Sequence, residues 1–111
     1  MLITTLLLAA MAPAPTAAVD TTRAAFTKCL RDDMKKSLEA KVEEVEYEMA
    51  LKANCSTERD AFRKAVIALG RSGGDSEKVA SEDADMQIED YLANFTDKFK
   101  DYKANNALPG E

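Results

Sequence analysis

The sequence predicts an all-α fold: a three-helix antiparallel arrangement, with helices over about 21–38, 43–70 and 77–104. Three observations carry it. Beyond residue 18, Gly occurs only at Gly70, Gly73, Gly74 and Gly110, and Pro only at Pro109. Ala, Glu, Lys, Leu and Met dominate that stretch, and β-branched clusters are missing. Apolar residues recur at gaps of four and three, the period of a helix face. With 111 residues the chain is one domain, here 19–106 followed by a tail, 107–111. Charged residues make up 32% and hydrophobic ones 46%, which describes a soluble, folded chain rather than a disordered one.

Before the first helix, Leu2 to Ala12 form an apolar run about half as long as a membrane-spanning helix. Pro13 and Pro15 break it, and Thr16-Ala17-Ala18 supplies small residues suited to signal peptidase. Residues 1–18 are therefore expected to be a signal peptide cut after Ala18, leaving a periplasmic or secreted mature chain with no stable membrane span. No Lys or Arg precedes Arg23, so the basic start of such a leader is missing. A retained short anchor and an Ala/Pro tail without export role are the competing readings.

The first helix is expected to be capped by Asp20 or Thr21 and to carry Phe26, Cys29, Leu30, Met34 and Leu38. The second carries Tyr47, Leu51, Cys55, Phe62, Val66 and Leu69, and Gly70 is expected to end it before the Arg71–Asp75 turn. Ser76 or Ser81 opens the third, with Glu77, Glu82, Asp83 and Asp85 at its positive dipole end. Its stripe runs Ala84, Ile88, Leu92, Phe95, Phe99 and Tyr102.

From Thr22 to Leu69 no Gly or Pro intervenes, so local propensity allows one long helix. Two observations oppose this: from Phe26 through Leu30, Met34 and Leu38 to Val42 the apolar stripe drifts about 40° per step, to nearly the opposite face, and the cysteines need a turn. In one helix the Cα atoms of Cys29 and Cys55 would stand about 39 Å apart, whereas a disulfide tolerates about 7 Å. Two Cys in a short exported chain point to one bridge. A hairpin turning at 39–43, around the midpoint 42, makes Cys29–Cys55 feasible. The bridge is worth roughly 3–3.5 kcal/mol in the chain-entropy model. Two free buried thiols, or a covalent dimer, are the alternatives.

Phe26-x-x-Cys29-Leu30, Cys55 ahead of Phe62-Arg63, and Asp83-Ala84-Asp85-x-Gln87-Ile88-x-Asp90-Tyr91 resemble a group of small exported alphaproteobacterial proteins, over roughly 26–102. The resemblance implies a signal peptide, a cysteine pair and a helical body, and brings no catalytic residues. Some members carry a breaker between the first two helices; 36–44 here holds none.

Charge falls in blocks: net +3 over 23–41, -4 from Glu43, Glu44, Glu46 and Glu48, +3 over 52–71 and -6 over 75–90. The basic second helix is expected beside the acidic start of the third. A chain of net charge -5 does not suit nucleic acid. With no His, imidazole-based catalysis and zinc sites are excluded, and no nucleophile–base pair or cofactor motif replaces them. The acids of 75–90 lack the pattern of a calcium loop, so no metal site is expected. Asn54-Cys55-Ser56 and Asn94-Phe95-Thr96 match the glycosylation pattern by coincidence. Tyr91, Phe95, Phe99 and Tyr102 are the candidates for a partner-binding surface, although such a stripe is more often core. The expected function is a non-catalytic binding or structural protein, with self-association as the alternative.

Overall fold

The computed structural model describes residues 14–110, and all regular structure in them is helical. There are four helices: α1 (Pro15–Glu39), α2 (Glu44–Asn54), α3 (Ser56–Ser72) and α4 (Glu77–Ala104). The N-terminal apolar run lies outside the described residues. α1 starts at Pro15, upstream of the expected Asp20/Thr21 cap, because Pro suits the first helical position, where no N–H is needed. Residues 15–18, assigned to the leader by sequence, form its first turn, and Ala18 packs against the core.

The chain reverses over 40–43, within the expected window and without Gly or Pro. Lys41 takes φ 56°, and Val42 N–H donates to Ser37 O at 3.0 Å. This is the left-handed ending that usually recruits Gly. Lys103 secures the turn from α4, its Nζ donating to Val42 O at 2.6 Å.

The continuous helix expected over 43–70 is two helices. The break falls on Cys55 (φ -119°, ψ 31°), which ends α2 and begins α3. No residue there forbids a helix; the interruption lies where Cys55 is bonded to α1. α3 also runs past Gly70, the expected terminator, to Ser72. Gly70 serves close packing instead, since a Cβ there would stand 3.1 Å from the Ala80 Cβ on α4.

α4 matches its expected span. Ser76 caps it, accepting from Val79 N–H at 3.2 Å. At its far end Asn106 (φ 52°) repeats the left-handed ending of α1. α3 lies between α1 and α4, and Phe26, Leu30, Phe62, Ala84 and Phe99 are the innermost side chains. Phe26 and Phe62 stack at 5.8 Å between centroids, with the Tyr91 edge on both. Burying each such ring stabilises the fold by about 1.5–3 kcal/mol before entropy is counted.

The charge blocks meet as expected: Arg63 pairs with Asp85 at 2.8 Å and Arg71 with Glu77 at 3.7 Å. At the other end Lys100 pairs with Glu44 at 3.2 Å. These exposed pairs fix which helix ends meet more than they stabilise.

Candidate binding surface

Cys29 and Cys55 are bonded, with Cα atoms 6.0 Å apart. Antiparallel α1 and α2 bring the half-buried Cys29 to the helix junction, where Cys55 is 1% exposed. A second tie lies beside it: Asn54 Nδ2 donates to Asp33 Oδ1 at 3.0 Å. The Asp33 Oδ2 atom and the Tyr47 hydroxyl are both buried without a hydrogen-bond partner. Burial, with the Asp33 charge adding to it, pushes the Tyr47 phenol far above its ordinary range, so the hydroxyl stays protonated. This corner holds a staple and a buried neutral phenol. It has no thiol to act as nucleophile.

The four aromatic candidates on α4 divide between core and groove. Phe99 is fully buried and stacks on Tyr47, centroids 4.0 Å apart and planes 8° off parallel. Phe95 is buried with Lys98 Nζ 5.1 Å from its ring centre. Tyr91 and Tyr102 are half-buried at the edges of the stripe. Tyr91 and Phe95 line a groove of about 560 Å³ between α1 and α4, flanked by Arg31, Thr27, Asp90 and Lys98. Phe99 and Tyr102 line another of about 550 Å³ at the end of the molecule, with Leu38, Val42 and Leu108. The stripe therefore presents two shallow sites and does not form one continuous surface.

Sequence reasoning missed the outer face of α2. Val45 and Met49 are 66% and 75% exposed, while Tyr47 and Leu51 on the opposite face are buried. The signal was present: Val45, Tyr47, Met49 and Leu51 alternate along a helix, so two faces are apolar and only one can face the core. Glu46 and Glu48 flank the outer pair.

Exposed ion pairs shift some of their own members. The Arg63 hydrogen bond holds the Asp85 carboxyl below its usual range, and the Lys28 bond does the same for Asp32. Glu44 raises the Lys100 ammonium. Among the described residues, no three acidic or cysteine side chains converge as a metal site, and no helix is long and apolar enough to cross a membrane. The geometry offers shallow, mixed-charge grooves. Comparison with known proteins returned no matching family model, curated protein or solved structure.

Proposed function

We propose that this chain is an exported, non-catalytic helical protein of the bacterial envelope that binds a partner or serves a structural role. The Cys29–Cys55 bond carries the proposal. Disulfides persist in oxidising compartments, and this one ties α1 to a junction that local propensity would not interrupt. The apolar run before Pro13, followed by small residues up to Ala18, supplies the export signal. Cleavage after Ala18 would remove the first turn of α1 and leave Val19, a buried residue, at the new N-terminus. The antiparallel three-arm arrangement, with α2 and α3 as one broken arm, is then a scaffold that presents grooves. Its non-catalytic character rests on the lack of His and of any nucleophile–base pair in the sequence.

Self-association is the second reading, favoured by the outward Val45 and Met49. Mass spectrometry of the protein recovered from an exporting host, before and after reduction, tests the main proposal. The expected mature chain begins at Val19 and gains two hydrogen atoms on reduction. Retention of Met1 together with two free thiols would overturn it.

A further inference from the structure

We infer that the outer face of α2 in one copy docks into the α1–α4 groove of a second copy, head to tail. This deepens the self-association reading by naming its two faces.

The donor face is built from Val45 and Met49, one turn apart and the two most exposed large apolar side chains among the described residues. Glu46 and Glu48 flank them, and Lys52 follows near the end of the helix. The receiving groove has the opposite plan: aromatic Tyr91 and Phe95 at its base, Arg31 and Lys98 as cations, and Asp90 at one end. An α2 laid antiparallel to the partner's α4 sets Lys52 toward Asp90 and Glu46 toward Lys98. Along a helix, Glu46 to Lys52 spans about 9 Å and Asp90 to Lys98 about 12 Å, within side-chain reach of each other. Met49 then meets the half-buried Tyr91 ring, where a thioether makes favourable contacts.

Charge complementarity also decides against the simpler two-fold pairing of α2 with α2. That arrangement would bring two copies of the acidic 43–48 block together and bury only one short helix pair. The groove is basic where α2 is acidic. On each molecule α2 packs against α1 and α4, with its apolar outer face turned away from them. Each copy thus donates one face and offers the other, a heterologous contact that builds rings or chains and weakens with salt.

The test mixes two variants of the chain, each first checked by circular dichroism for unchanged helix content. One carries Val45→Glu and Met49→Glu, the other Arg31→Glu and Lys98→Glu. By analytical ultracentrifugation at low salt, wild type should show a size that grows with concentration. Each variant alone should associate at least about tenfold more weakly. Mixed, they should form a one-to-one complex, because each retains the face the other lacks. Wild-type association without complementation, or association that ignores both pairs of substitutions, would overturn these faces while leaving self-association standing. A wild-type monomer at every concentration would overturn both.

Discussion

α2 and α3 are neighbours in one Gly-free stretch up to Gly70, with similar helix propensity, yet they live in different surroundings. α3 is sandwiched between α1 and α4 and buries Phe62, Ala65 and Val66. α2 buries Tyr47 and Leu51 on one side and leaves Val45 and Met49 in solvent on the other. The contrast teaches that this arm is one helix by local propensity and two by tertiary constraint. Packing against two helices holds α3, while α2 adds covalent and polar ties around Cys55 to the packing of Tyr47 and Leu51. The less embedded helix is also one with an apolar face turned to solvent.

The sharpest way to break the comparison is through the core. Phe62→Ala should cost about 3–5 kcal/mol, since the ring is fully buried against Phe26 and Tyr91. Urea denaturation measures it. A cost below about 1 kcal/mol would mean that α3 is not the packed member of the pair.

The contrast also shows what was legible in the sequence. α4 was readable to its ends, because its apolar spacing and the Ser76 cap agree with its packing. The turn at 40–43 was readable through the cysteines and through the drift of the stripe from Phe26 to Val42, not through its own residues, since Lys41 adopts a Gly-type conformation that no local residue signals. The break at Cys55 was not readable at all: the residue that supplied the staple also marks the junction. The site was half legible. Tyr91 and Phe95 lie on a groove, Phe99 belongs to the core, and the α2 face was hidden because its apolar residues alternate between two sides of the helix.

Lys41 sharpens the comparison at the other end of α2. Lys41→Gly should stabilise the fold by about 1 kcal/mol, because it relieves left-handed strain at a helix ending. Thermal melting reads this directly, and a lower melting temperature would contradict it. Lys103 would still clamp the turn through Val42 O.

The smallest effect belongs to the surface of α3. The Arg63 bond lowers the Asp85 carboxyl below its ordinary 3.8, so the pair contributes above the unfolded value. That contribution is lost as pH falls through the folded value. Asp85→Asn should therefore cost less than about 1 kcal/mol at neutral pH. The difference from wild type should begin to shrink as pH drops below 3.8 and vanish only below the lowered value of the folded carboxyl. A difference that grows in acid would reverse the sign of the argument.

The central claim is that α2 is held in place chiefly by the bridge at Cys55, whereas α3 is held by its packing. Hydrogen exchange of each helix, compared between wild type and a Cys29→Ser, Cys55→Ser double variant under folded conditions, tests it most directly. The account predicts that the amides of Glu44–Asn54 lose at least about tenfold protection while those in the middle of α3 keep theirs relative to global unfolding. Equal loss across both helices, or none in α2, would contradict it.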